Sequence, residues 1–447
     1  MPWLHAVLPH ASRAAAAVYY RIRYGGDPVP QGGPVLLVAN HPNSLLDPML
    51  VAAAAGRRVR FLAKAPLWDD GKTAWLVRGA AAIPVYRRAD DPAQMDRNED
   101  AFRAVHAALA GGAAVGIFPE GLSHSEPALA PLKTGAARIA LGAATLAGGS
   151  FPVIPVGLVF RRKDVFRSEA LVLRGAPVAW SDLAGRGPGD AAAVRELTDR
   201  LARALRQVTL NLDAWQDRPL VECAVRVWEA ERGPGDTAQA PEGRVARLEV
   251  TTRILAEARR SEDREALALA ASLETHRRRL ERLRVRPADV SADVGVPRAL
   301  FWAVRRVHLA LPLAAALGLA GMIAFYPPYR ATGFIVDRIR LREDERSTWK
   351  LLVGSGVYAA WLALVTALAT LAVSWRAGVL ALAGLPAIGM VGLAVRERWR
   401  GSWADARRFF LLRWRRSLVA SLQHEQVALA GRLASLYDRY AVHLETR

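Results

Sequence analysis

Between residues 34 and about 210 the chain alternates short apolar runs with stretches whose apolar residues recur every three or four positions. The runs predict strands over 34–39, 59–63, 81–86, 113–118, 152–160 and 171–174, and the helical spacing predicts helices over 48–55, 93–110, 133–146 and 191–209. Several strands, 34–39 above all, are apolar on both faces, as a sheet covered by helices requires. The fold class is α/β. Upstream, Leu4, Val7, Leu8, Ala11, Ala15, Val18, Tyr19 and Ile22 fall near one helical face, with His5, His10, Ser12 and Arg13 largely elsewhere. This predicts an amphipathic helix over 3–22, lying either on a membrane surface or on the protein core. Residues 221–300 read as helical and strongly charged, with turns at Gly233–Gly235 and near Pro287. Their Arg277–Arg286 run reads as a solvated helix face.

Three longer apolar runs follow, at 307–326, 351–375 and 377–395, and only Arg376 separates the last two. About 20 apolar residues cross a bilayer, so 351–375 and 377–395 predict a transmembrane hairpin. The first run ends at Pro327-Pro328 and is weakened by Pro312 and its glycines. It either spans or dips in and returns. Arg330, Arg338, Arg340, Arg342, Arg346 and Lys350 lie between the first and second runs. After Val395 comes a segment rich in arginine and aromatic residues, from Arg396, Trp399 and Trp403 to Phe409, Phe410, Trp414 and Arg416. Such a mixture suits the lipid headgroup region. Cationic flanks stay on the cytoplasmic side, which predicts an integral membrane protein whose α/β domain and tail face the cytoplasm.

Composition narrows the partners. Lys and Arg exceed Asp and Glu by 61 to 42, a formal net charge of +19, which favours anionic partners. The basic residues sit beside apolar spans and no nucleic-acid motif is visible, so membrane lipid is the expected partner rather than nucleic acid. The single cysteine, Cys223, excludes an intrachain disulfide, and no Cys/His spacing offers a metal site. The N-terminus lacks the basic start of a signal peptide.

Candidate chemistry collects at strand ends. Asn40-His41-Pro42-Asn43-Ser44-Leu45-Leu46-Asp47-Pro48 follows the strand at 34–39. An imidazole can take a proton from a hydroxyl at neutral pH, and a nearby carboxylate fixes its tautomer and stabilises the cation. The ordinary alternative is a turn histidine with Asp47 starting a helix before Pro48. Phe118-Pro119-Glu120-Gly121-Leu122-Ser123-His124-Ser125 follows the strand at 113–118 and could bind a polar acceptor or simply turn the chain. Ile83-Pro84-Val85-Tyr86-Arg87-Arg88 ends in two guanidinium groups whose forks match phosphate oxygens. Lys133 opens a helix, where a cation can sit near a phosphate.

The order and spacing of these motifs, closed by Val153-Ile154-Pro155-Val156-Gly157, resembles the glycerolipid acyltransferase superfamily, which includes glycerol-3-phosphate and lysophosphatidic acid acyltransferases. The resemblance covers roughly residues 1–215. The common superfamily pattern has four residues between His and Asp; here there are five, Pro42 to Leu46. The longer spacing resembles the branch containing fungal glycerol-3-phosphate/dihydroxyacetone-phosphate acyltransferases. Pro119-Glu120-Gly121-Leu122-Ser123-His124, Val208-Thr209-Leu210-Asn211 and Thr348-Trp349-Lys350 are further likenesses to it.

The resemblance implies a mixed sheet covered by helices, followed by a helical region and C-terminal transmembrane helices. It implies His41 as general base and Asp47 as its orienter. Arg87 would bind the acceptor phosphate, with Arg88 beside it and Lys133 as a further contact. Glu120 and Gly121 would position the acceptor with help from Ser123, and Pro155 would lie near the acyl donor. His106 and His124 are expected to be structural. Acyl-CoA or acyl-carrier protein would be the co-substrate, with no metal and no other cofactor. The expected organisation is a membrane-associated helix (1–25), an acyltransferase domain (26–220), a charged helical region (221–300), a membrane domain (301–395) and a basic aromatic tail (396–447). The expected acceptor is glycerol 3-phosphate or dihydroxyacetone phosphate. The alternatives are lysophosphatidic acid or another lysophospholipid as acceptor, and, in a different class, a non-catalytic lipid-binding scaffold.

Overall fold

The computed structural model describes residues 2–71, 73–86, 98–233, 241–291 and 310–445. They fall into two compact units. One holds residues up to Asp217 with Asp236–Thr252 and Arg342–Thr348. The other holds Arg218–Gly235, Arg253–Leu341 and Trp349–Arg447.

The first unit is built on a seven-stranded mixed sheet: β1 Arg21–Gly25, β2 Val35–Ala39, β3 Val59–Lys64, β4 Ile83–Val85, β5 Ala114–Ile117, β6 Val153–Phe160 and β7 Glu169–Arg174, in the order β1-β7-β6-β2-β5-β3-β4. Strands β6, β2, β5, β3 and β4 are mutually parallel. Strand β7 pairs antiparallel with β6, and β1 runs parallel to β7. Every residue of β2 and β5 is buried, as expected for central strands covered on both faces. On one face Leu36, Val38, Val115, Ile117 and Val153 pack with helices α4 (Asn98–Ala110), α5 (Gly135–Ala147) and α6 (Ala191–Val208). Helix α2 (Leu46–Ala55) follows β2 directly, the short α3 (Ala74–Gly79) precedes β4, and α1 (Pro2–Tyr19) packs against α2.

Six strands were legible in the chain and β1 was not. Arg21 and Arg23 interrupt its apolar pattern, and it is an edge strand whose first residue faces Glu169 of β7 at 3.9 Å. The helical pattern predicted to reach residue 22 stops at Tyr19, and the next residues join the sheet. Gly157 in β6 is required by close approach. A Cβ there would lie 1.8 Å from the carbonyl oxygen of Val208, at the end of α6.

The second unit is helical. Buried residues of Arg218–Arg232, Pro241–Arg260, Arg264–Leu283 and Arg416–Glu445 form one apolar core. Cys223 lies in it, and burial pushes its thiol up to about 11. Two helices, Arg346–Ala372 and Trp375–Trp414, contain windows of mean hydropathy 1.9 and 2.1, long and apolar enough to cross a membrane. Only 6% and 11% of those windows is buried within the protein, which sets them apart from core helices. The first apolar run differs from expectation: its helix, Ala310–Val336, passes through Pro327-Pro328 instead of ending there. Pro328 has no N–H to give the carbonyl of Ala324. The indole Nε1 of Trp361 donates to that oxygen instead, at 3.0 Å.

Candidate active site

Strands β2 and β5 are parallel neighbours in register, Val38 against Ile117, so the segments that follow them leave the same edge of the sheet side by side. This alone brings the His41 and Glu120 motifs together. Carboxyl edges of parallel strands are where open α/β sheets bind ligands. Asn40 pins the exit from β2. Its amide Nδ2 donates to the carbonyl of Leu158 at 3.1 Å and its Oδ1 accepts from the Leu158 N–H at 2.7 Å, extending the pairing with β6 by a side chain.

His41 Nδ1 lies 2.8 Å from Asp47 Oδ2, and the backbone N–H of Asn43 donates to the same oxygen at 2.6 Å. Two donors aimed at one oxygen fit an ionised carboxylate. Asp47 is fully buried; burial pushes its carboxyl above the ordinary range, and the hydrogen bond from His41 opposes that push. With Nδ1–H committed to Asp47, the lone pair of the imidazole resides on Nε2. The ring is one-fifth exposed and stacks on Phe118, with centroids 4.1 Å apart and planes 13° apart. Phe118 in turn stacks on Phe61 of β3. Within the five-residue spacing Ser44 adopts a left-handed backbone, φ 45°, a conformation uncommon outside glycine.

Glu120 is 2% exposed, and both its oxygens are engaged. Oε1 accepts from the backbone N–H of His41 at 2.8 Å, and Oε2 accepts from the backbone N–H of Ala130 at 2.8 Å and bonds His124 Nε2. That carboxylate raises the pKa of His124 above its ordinary value. The backbone N–H of His124 donates to the carbonyl of His41 at 3.1 Å. Gly121 has φ +74°, and the side chain of Lys133 lies over it; a Cβ would meet the Lys133 Nζ at 2.5 Å. Ser123 Oγ accepts from the backbone N–H of Ser44 at 3.0 Å. Asn211, from the Val208-Thr209-Leu210-Asn211 stretch, accepts the backbone N–H of Leu129 at 3.0 Å and so holds the far end of the same segment.

Of the residues singled out by sequence, His41, Asp47, Glu120, Gly121, Ser123 and Lys133 therefore lie together. Pro155 is buried within β6, paired with Val38 and packed against Gly175. Arg87 and Arg88 lie outside the described residues; β4, which precedes them, ends on the same edge as β2 and β5. His106 packs over Gly142 between α4 and α5, where burial lowers its pKa.

Several participants went unread. Tyr20 is 1% exposed, and its hydroxyl accepts from Asn43 Nδ2 at 2.7 Å and donates to the carbonyl of Lys163. Lys163 Nζ donates to the carbonyl of Pro42 at 3.0 Å and to Ser125 Oγ. Burial lowers its pKa, with Asp344 the strongest opposing charge. The available signal was a Lys beside two arginines just past β6, which looks like any solvated cationic turn.

A profile of the Acyltransferase family matches residues 21–159. The glycerol-3-phosphate O-acyltransferases 2 and 1 of Saccharomyces cerevisiae are 33% identical over 135 residues and 31% identical over 125 residues. These alignments cover 30% and 27% of this chain but 18% and 16% of the yeast proteins, so the matched region is less than a fifth of those relatives. Among solved structures, a 1-acyl-sn-glycerophosphate (LPA) acyltransferase from Thermotoga maritima aligns at 18% identity with a TM-score of 0.33, over 46% of this chain and 80% of that one. The histidine–aspartate pair and the glutamate segment both fall inside residues 21–159, the stretch that the Acyltransferase family profile matches.

Proposed function

We propose that the protein transfers a fatty acyl group from a thioester, acyl-CoA or acyl-carrier protein, to a hydroxyl of glycerol 3-phosphate or dihydroxyacetone phosphate at a membrane surface. The observation that carries this reading is the geometry of His41. Its Nδ1 is tied to a buried carboxylate at 2.8 Å, its ring is fixed against Phe118, and Nε2 is left as the basic atom. Such a group can draw a proton from an acceptor hydroxyl as the oxygen attacks the thioester carbonyl. The tetrahedral intermediate then collapses, the C–S bond breaks, and the imidazolium returns the proton to the departing thiolate. Asp47 keeps the tautomer and stabilises the cation between these steps. No nucleophile on the enzyme is needed. The substitution class of the yeast relatives, glycerol-3-phosphate O-acylation, supports the choice of acceptor.

In this reading Arg87 binds the acceptor phosphate with Arg88 beside it, since the end of β4 shares the edge from which His41 projects. Lys133, over Gly121, adds positive charge near the same acceptor. Holding the phosphate away from the reacting hydroxyl orients the acceptor, an effect worth several kcal/mol at most sites that use it, within a ceiling of roughly 7–11 kcal/mol. Glu120 works through His41, whose backbone N–H it holds. Pro155 belongs to the donor side. The two apolar helices anchor the chain in a bilayer with the Acyltransferase domain on the cytoplasmic face.

The test is acylation by the purified full-length protein in detergent, with a long-chain acyl-CoA and a panel of glycerol 3-phosphate, dihydroxyacetone phosphate, lysophosphatidic acid and lysophosphatidylcholine. Product from either of the first two acceptors, lost in His41→Ala, supports the proposal. Product from a lysolipid alone overturns the acceptor assignment. Acylation of none would leave a lipid-binding scaffold.

A further inference from the structure

The segment Arg342–Thr348 lies in sequence between the helix Ala310–Val336 and the body of the helix Arg346–Ala372, yet it packs with the sheet unit. Short connections normally run over the surface, and their polar residues are hydrated. Here Asp344 is 4% exposed and Ser347 is not exposed at all. Their partners explain this. Thr348 Oγ1 accepts from the backbone N–H of Leu45 at 3.2 Å, and Asp344 Oδ2 accepts from Ser44 Oγ at 3.3 Å. Ser347 Oγ donates to the carbonyl of Lys163 at 2.7 Å, the same oxygen that Tyr20 holds, while Lys163 holds the carbonyl of Pro42.

Asp344 and Thr348 touch one turn, residues 40–47, directly, and Ser347 reaches it through Lys163, whose ammonium holds Pro42. The first half of the turn is held by Glu120 and Asn40, and Ser123 reaches the backbone N–H of Ser44. Within its middle, Ser44 has a left-handed backbone at φ 45°. That conformation persists only if the surroundings impose it. Among the described residues, the groups imposing it from the other side come from a segment some 300 residues later in the chain.

We propose that Arg342–Thr348 is a positioning strap: Asp344, Ser347 and Thr348 clamp the turn that carries His41 and Asp47, and acyl transfer depends on them although none touches the reacting atoms. The Thr348-Trp349-Lys350 stretch thereby acquires a reason for its place ahead of an apolar helix. The inference rests on the reading of His41 and Asp47 as the acyl-transfer pair. A misplaced base slows chemistry without changing how tightly the substrates bind.

The experiment compares full-length wild type with Ser347→Ala, Thr348→Val and Thr348→Ser. Three quantities are read: kcat and KM with acyl-CoA and glycerol 3-phosphate, the thermal midpoint, and amide hydrogen exchange in peptides covering residues 40–47. Loss of one such hydrogen bond should lower kcat about threefold to tenfold in Ser347→Ala and Thr348→Val. Both KM values should stay near wild type, the thermal midpoint should fall by no more than a few degrees, and exchange over 40–47 should accelerate. Thr348→Ser, which keeps the acceptor oxygen, should recover both kcat and protection. Wild-type kcat with unchanged exchange in both variants overturns the strap. So does a joint fall of kcat and thermal midpoint that Thr348→Ser does not relieve, which would assign the segment to folding alone. If the wild type acylates no acceptor, the functional reading fails, and hydrogen exchange still decides whether the segment holds the turn.

Discussion

Glu120→Gln separates two roles that a carboxylate in this position can have, contact with the acceptor or support of the catalytic turn. The structure favours support, because its oxygens already serve the backbone N–H groups of His41 and Ala130 and the ring of His124. A carboxamide replaces one acceptor oxygen with an NH2 donor. Placed toward His41 it faces that N–H donor and orphans it. Placed the other way it can donate to a neutral His124, but the Ala130 N–H then loses its acceptor. Either arrangement leaves one buried N–H unpaired, at a cost of roughly 1–3 kcal/mol. The bonds that remain lose the charge that strengthens them, so the total is about 2–4 kcal/mol. For a unit of this size that corresponds to a fall of very roughly 5–15 °C in thermal midpoint.

The pH dependence follows from His124. The Glu120 carboxylate raises its pKa in the folded protein above the ordinary 6.5. Its contribution is therefore fully present below the unfolded value of about 6.5 and is lost as pH rises through the higher folded value. The stability gap between wild type and Glu120→Gln should be widest in mildly acidic buffer and should narrow as pH rises. Thermal melts across that range, with the His124 ring followed by NMR, read both effects. In the variant kcat should fall with the midpoint, since the His41 backbone N–H loses either its acceptor or the charge that strengthened the bond. An unchanged midpoint with a rise only in the KM for glycerol 3-phosphate would refute this reasoning and return Glu120 to the acceptor.

Three further outcomes are expected. Asp47→Asn should leave the protein folded and lower kcat about 10²–10⁴-fold, the range for a compromised general base; turnover within a few-fold of wild type would remove Asp47 from the mechanism. Arg87→Ala should raise the KM for the phosphorylated acceptor by about tenfold to a hundredfold, in keeping with a lost charge-assisted contact of about 1.5–3 kcal/mol, with the acyl-CoA KM little changed; the opposite split would move Arg87 to the donor side. With the buried thiol removed by Cys223→Ala, a Ser421→Cys label in intact cells should react only after the cytoplasmic face is opened. Labelling from outside would mean an odd number of crossings, so that the helix Ala310–Val336 spans.

How much of this was legible in the chain depended on distance along it. The His41–Asp47 pair and the Glu120 segment each follow a strand that is apolar on both faces, so a local pattern marked both. The parallel register of β2 and β5 then made them neighbours. Strand β1 escaped because edge strands tolerate the charges, Arg21 and Arg23, that make a run look unlike a strand. The long-range supports escaped for a different reason. Tyr20, Lys163 and Asp344 act on one turn from three remote parts of the chain, and nothing in the spacing around any of them announces the others.

The departure in the motif itself shows what such supports do. Inserting a fifth residue between His41 and Asp47 would be expected to carry the carboxylate away from the ring. The observed separation is 2.8 Å, with Ser44 left-handed between the two residues, its N–H held by Ser123, its hydroxyl by Asp344 and the next N–H by Thr348. A conformation that costs of order 1–3 kcal/mol outside glycine needs such compensation to persist. The longer spacing and the buried polar segment between two apolar helices are thus two halves of one arrangement. The first is visible as a count in the sequence, and the second is intelligible only once the chain is folded.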